Sequence, residues 1–106
     1  MSQWLPRLLR RVHELAAAQR ISLTLKAATE LAALELGLDT EDLSDVLVGL
    51  TSEDFAEKIV SKTTGESMYV FKPTISDVII YLKIIVRQTC VVVSFHEDQG
   101  ESDEVS

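Results

Sequence analysis

Residues 75–96 read ISDVIIYLKIIVRQTCVVVSFH, two runs of strand-forming residues that meet at Gln88-Thr89. β-Branched and aromatic side chains dominate both runs and favour a pleated, half-buried surface. In the first run Val78, Ile80, Leu82, Ile84 and Val86 share one face, every one apolar. Ile79, Tyr81, Lys83, Ile85 and Arg87 share the other. In the second run Val91, Val93 and Phe95 share a face, and Cys90, Val92, Ser94 and His96 the opposite one. A tight turn at Gln88-Thr89 pairs Val86 with Val91, Ile84 with Val93 and Leu82 with Phe95, so that core residue meets core residue. The same register sets Lys83 opposite Ser94 and Tyr81 opposite His96. Directly opposed Cβ atoms stand ~4.5–5.5 Å apart, which puts a phenol beside an imidazole on the less apolar face. Gln-Thr is not a favoured two-residue turn, so a longer loop with the same pairing is the alternative.

Upstream of this hairpin the pattern is helical. Leu5, Leu8, Leu9, Val12, Leu15 and Ala16 recur at spacings of three and four, which predicts an amphipathic helix over residues 4–19 with Pro6 near its start. Residues 21–25 are a short β-branched interruption, an edge strand or the entry to the next helix. Residues 26–36 are rich in Ala, Leu and Glu, and Gly37 is placed to end that helix. Asp39 or Thr40 caps a third helix with Leu43, Val46, Leu47 and Leu50 inward and Gly49 at its end. Thr51 or Ser52 caps a last short helix, with Phe55 and Ile59 inward. From Ile59 the pattern changes to strand, with a turn over residues 62–66 and Pro73 ending the strand that follows. Helices first and strands second predict the α+β class: N-terminal helices packed on one face of a C-terminal antiparallel sheet. Residues 1–96 form one domain of ordinary size, and residues 97–106 are an acidic tail expected to be disordered.

Composition narrows the function. With 46% hydrophobic residues the chain has a core to bury. No apolar run reaches the ~18–20 residues that span a bilayer, and the first 20 residues do not read as a signal peptide. Cys90 is the single cysteine; it points to a reducing, cytoplasmic setting and reads as a small buried hydrophobe. The net charge of −7 is unevenly spread. Residues 1–29 carry +4, residues 30–57 carry −9, residues 58–95 carry +3, and the remainder carries −5. The sheet half is thus mildly basic, while the acidic segment reads as a solvated helical face that RNA would avoid.

No phosphate loop, Cys/His cluster or HExxH motif occurs, so neither a metal nor another cofactor is expected. What remains is Tyr81, Lys83, Ser94 and His96, with Lys58, Lys72 and Arg87 nearby. This set suits metal-free RNA cleavage, in which a 2′-hydroxyl attacks its own adjacent phosphate. That reaction needs a base, cations for the charge on phosphorus, and an acid for the leaving oxygen. Imidazoles titrate near ~6.5 and serve either proton role, whereas a phenol near ~10 is an acid or hydrogen-bond donor.

The blocks Leu36-Gly37-Leu38-Asp39, Val48-Gly49-Leu50, Asp54-Phe55, Val70 to Pro73, Tyr81-Leu82-Lys83-Ile84 and Val91 to Phe95 resemble the MqsR toxins, the motility quorum-sensing regulators. Order and spacing agree from about Ile21 to Glu97, with a one-residue shift between Phe55 and Pro73. The resemblance implies a small RelE-like ribonuclease that cleaves messenger RNA without a metal and is neutralised by a cognate antitoxin protein. The family's active site uses a lysine soon after the Asp-Phe pair, a glutamine in the strand before Pro73, a tyrosine, and a lysine after the last strand. Tyr81 matches the tyrosine. Glu57 stands in the first lysine position with Lys58 adjacent, Met68 in the glutamine position and His96 in the last lysine position. The expectation is therefore a toxin with Tyr81 and His96 catalytic and Lys58, Lys72, Lys83 and Arg87 holding RNA phosphates. One alternative is a catalytically impaired MqsR-like fold that binds RNA or protein. Another is an interaction domain that uses the acidic segment.

Overall fold

The structure is a computed structural model that describes residues 3–98. Helix α1 (Trp4–Ala17) buries Leu9, Val12, Leu15 and Ala16. Strand β1 (Ile21–Leu23) follows, and Thr24 then caps α2 (Leu25–Ala33) by accepting from the Ala27 amide. Asp39 caps α3 (Thr40–Val48) in a reciprocal box with Asp42, and Gly49 closes it. The buried Ser44 of α3 donates to the Ala16 carbonyl of α1 at 2.8 Å, tying the two helices together.

The remaining strands are β2 (Phe55–Val60), β3 (Ser67–Phe71), β4 (Thr74–Ile75), β5 (Val78–Val86) and β6 (Cys90–Glu97). The main sheet runs β1-β6-β5-β3-β2, with β4 paired to the start of β5. Only β1 with β6 is parallel, so the sheet is mixed rather than purely antiparallel. The fold is α+β, three helices on a mostly antiparallel sheet. Phe71, Ile80, Leu82, Ile84, Cys90, Val92 and Phe95 of the sheet pack against Leu9, Val12, Leu15, Ala27, Leu43, Leu47 and Leu50.

Half of the expected hairpin register holds. Tyr81 pairs with His96, Leu82 with Phe95 and Lys83 with Ser94. Beyond Lys83 the ladder shifts: Ile84 meets Val92, Ile85 meets Val91 and Val86 meets Cys90. Val93 is the extra residue of a β-bulge, which reverses the parity of β6. Cys90 and Val92 therefore enter the core, while Val91 and Val93, expected there, are only half-buried. The turn is residues 87–89, closed by the Arg87 amide on the Thr89 carbonyl.

Three boundaries also differ. The capping signal at Thr51 forms a box with Asp54, yet it yields only a single 3₁₀ turn, Ser52–Asp54, before β2 starts at Phe55. Helix α2 ends at Ala33, short of Gly37, and Glu35 and Gly37 both take positive φ in the connection. Ser76 and Asp77, at φ 52° and 67°, make a tight β4–β5 turn of the kind that needs left-handed backbone at both central positions. The Gln99–Ser106 part of the expected tail lies outside the described residues. Glu97 closes β6, and the Asp98 amide donates to the Ile79 carbonyl.

Candidate functional site

Cross-strand partners point to the same side of a sheet. Glu57, Val70, Lys83 and Ser94 form one continuous row across β2, β3, β5 and β6, on the side away from the core. Two residues along β5 from Lys83, Tyr81 shares this face with its partner His96. Their rings stack with centroids 5.0 Å apart and planes 9° from parallel. The phenol and imidazole stand as the sequence indicated.

The surroundings divide the work between them. Burial raises the Tyr81 phenol above its ordinary 10.0; the charges of Glu57 and Asp98 add to this, and that of Lys72 opposes it. A phenol so placed keeps its proton at neutral pH and can donate it. The His96 Nδ1 lies 2.9 Å from the Glu97 carbonyl, which can only accept, so Nδ1 carries the hydrogen. In the neutral ring Nε2 is then left as the proton acceptor.

Four cations were expected here, and the structure separates them. Lys83 lies on the face in the row with Ser94, and it forms no ion pair among the described residues. Lys72 is beside Tyr81 but holds Asp98 at 3.4 Å. Arg87 sits at the hairpin turn with its Nε and Nη2 on the two Glu66 oxygens at 2.8 and 2.6 Å, so its charge is already met. Lys58 does not join them. It pairs with Tyr69, which pairs with Ile84, a row on the helical side of the sheet. Its ammonium lies 5.8 Å from the Trp4 ring centroid. Its neighbour Glu57 takes the Tyr81 face instead.

Sequence reasoning missed the contribution of α2. Among the described residues no strand continues along β6 after Leu23, and α2 covers that edge with side chains. Thr24 donates to the Val93 carbonyl at 3.4 Å, and Glu30 accepts from the Phe95 amide at 2.9 Å. Lys26 bridges Glu30 at 2.8 Å and Ser94 at 3.0 Å. Burial works to raise the Glu30 carboxyl, but the hydrogen bonds from Lys26 and Phe95, with the charges of Lys26 and His96, bring it below its ordinary 4.5. The first acid of the segment read as a solvated face is therefore at the site, as is the last, Glu57. The only available signal was the i,i+4 spacing of Lys26 and Glu30 on an otherwise uncharged helix.

The chemistry this arrangement can support is proton transfer beside a bound anion: an imidazole acceptor, a phenol donor, the Lys83 ammonium, unpaired among the described residues, and a second cation at Lys26. Among the described residues no group of three or more His, Cys, Asp or Glu side chains could hold a metal ion. No described helix is long and apolar enough to cross a membrane. Cys90 is buried and free, with its thiol pushed up to about 12 by burial, so it takes no part.

No individually curated protein matches the chain. Residues 7–97, from within α1 to the last residue of β6, match the family described as motility quorum-sensing regulator, toxin of MqsA. The chain thus belongs to the MqsR toxin family, and the Tyr81–His96 face lies within the matched region.

Proposed function

We propose that the chain is the toxin of a toxin–antitoxin pair, a cytoplasmic endoribonuclease that cleaves messenger RNA without a metal and is held inactive by a cognate antitoxin. The observation that carries this reading is the stacked Tyr81–His96 pair on the sheet face away from the core, next to Lys83, which has no ion pair among the described residues. His96 Nε2 takes the proton of a ribose 2′-hydroxyl. The 2′-oxygen attacks the adjacent phosphorus, and the bond from phosphorus to the 5′-oxygen breaks. Tyr81 gives its proton to that departing oxygen. The products are a 2′,3′-cyclic phosphate and a 5′-hydroxyl. Lys83, with Lys72 once a phosphate draws it from Asp98, balances the charge that grows on the phosphate oxygens.

The test is incubation of the purified protein with messenger RNA in excess chelator, with chemical mapping of new ends. New 2′,3′-cyclic phosphate and 5′-hydroxyl termini that disappear in Tyr81→Phe with His96→Ala are expected. Intact RNA rejects the reading.

Two residues favour a second reading, a module that binds RNA or protein without cutting. Glu57 and Met68 stand where the resemblance puts a lysine and a glutamine, and both belong to the Tyr81 face by their pairing. Glu57 brings negative charge where a substrate phosphate would lie. RNA bound in a salt-dependent way but never cleaved is the result that selects this alternative.

A further inference from the structure

Lys58 and Tyr69 face away from the Tyr81 surface, and with Trp4, Arg7 and Leu8 they line a cleft of about 460 Å³ on the helical side. The volume falls in the range of small-molecule sites. One wall is aromatic and held in place. The Trp4 indole meets Phe55 edge-on at 5.3 Å and stacks on Tyr69 at 6.1 Å, yet Trp4 remains 41% exposed. A large ring fixed by neighbours and still open to solvent is a ready stacking platform. The cleft is also positive. Among the described residues it is lined by Arg7 and Lys58 and by no acid, and the first turn of α1 carries none. Arg7 has no ion pair among the described residues. Lys58 lies over the indole and likewise forms no ion pair among the described residues.

We infer that this cleft takes one unpaired nucleotide, its base stacked on the Trp4 indole and its phosphate held by Arg7 and Lys58. An acidic peptide would use the two cations and leave the indole open. An apolar side chain would use the indole and leave the cations idle. A phosphorylated base uses both. Stacking of a base on an indole outweighs an exposed cation–π contact, so Lys58 moves from the ring to the phosphate when the base arrives. The nucleotide can belong to an RNA strand or be free. A strand has a short route, because β2 is the free edge of the sheet and its successive residues Glu57 and Lys58 serve the two faces. That source rests on RNA being the partner, as proposed above; the cleft's own chemistry does not.

Trp4 is the only tryptophan, so its fluorescence reports on the cleft directly. The full chain is titrated with 2′-O-methyl hexauridylate, which cannot be cut by 2′-attack, and with UMP, uridine, inorganic phosphate and hexaglutamate. Quenching by the hexauridylate alone assigns the site to an RNA strand, and equal quenching by UMP assigns it to a free nucleotide. In either case Arg7→Ala and Lys58→Ala weaken binding on the order of tenfold each. With the hexauridylate each also lowers the salt slope by about 0.7. An unchanged emission maximum in the unliganded variants shows that the cleft is intact. The inference falls if neither nucleotide quenches, if hexaglutamate, uridine or phosphate alone does as well, or if both variants bind like the parent. Cleavage plays no part in this readout, so quenching here together with intact messenger RNA in the chelator assay rejects the ribonuclease reading and leaves the cleft.

Discussion

Alanine at Val92 and alanine at Val93 should have very different costs, although the two residues are identical and adjacent. Val92 is fully buried against the helices, whereas Val93 is the half-buried extra residue of the bulge. Val→Ala removes the equivalent of two methylenes, about 1.6 kcal/mol at ~0.8 kcal/mol each. A cavity adds to this at Val92, because the paired backbones of β5 and β6 hold its walls apart, giving roughly 2–3 kcal/mol in total. That is a loss of about 8–20 °C in Tm for a domain of this size. Val93→Ala should cost less than about 1 kcal/mol, since its side chain is partly in water already. Urea melts read by far-ultraviolet circular dichroism measure both, and they are comparable only if the slopes agree. Equal costs, or a larger cost at Val93, would mean that β6 runs without the bulge and that the parity of its first half is reversed.

Three further outcomes are expected. Leu82 is fully buried between its cross-strand partners Phe71 and Phe95, so Leu82→Ala should cost on the order of 3–5 kcal/mol in the same melts; under 1 kcal/mol would refute the core. Lys83→Ala should lower the salt slope of RNA binding by about 0.7, and an unchanged slope would take phosphate off this face. Glu30 is held below its ordinary 4.5 in the fold, so its contribution to stability is complete above that value and is lost as pH falls through the lowered one. Glu30→Gln should therefore flatten the acid limb of the stability curve; an identical limb would contradict the Lys26–Glu30 bridge.

The parts of the fold that could be read in the sequence are those where residue type changes with parity. Leu82, Lys83 and Tyr81 alternate in character, and so do Phe95, Ser94 and His96, and this half of the hairpin register is as expected. Val91, Val92 and Val93 are the same residue three times, so nothing in them marks which is bulged. The acidic turn at Ser52–Asp54 carries a real capping signal, but one turn is too short to distinguish from a helix by composition. That boundary also decided Lys58: once β2 begins at Phe55, pairing with Tyr69 sends Lys58 to the helical side and Glu57 to the other. The roles of Lys26 and Glu30 depend on α2 covering the β6 edge, a long-range contact with no local trace.

The account rests on His96 moving a proton rather than serving as a fixed charge, and the pH dependence of RNA cleavage in chelator tests this for wild type, His96→Ala and His96→Lys. A proton-transfer role predicts a pH dependence of wild-type cleavage that the variants do not share. His96→Ala and His96→Lys should then both lose ~10²–10⁴-fold in rate. A His96→Lys variant that matches or exceeds wild type would contradict it and make the residue a cation. Cleavage unchanged in both variants at every pH would remove His96 from the site altogether.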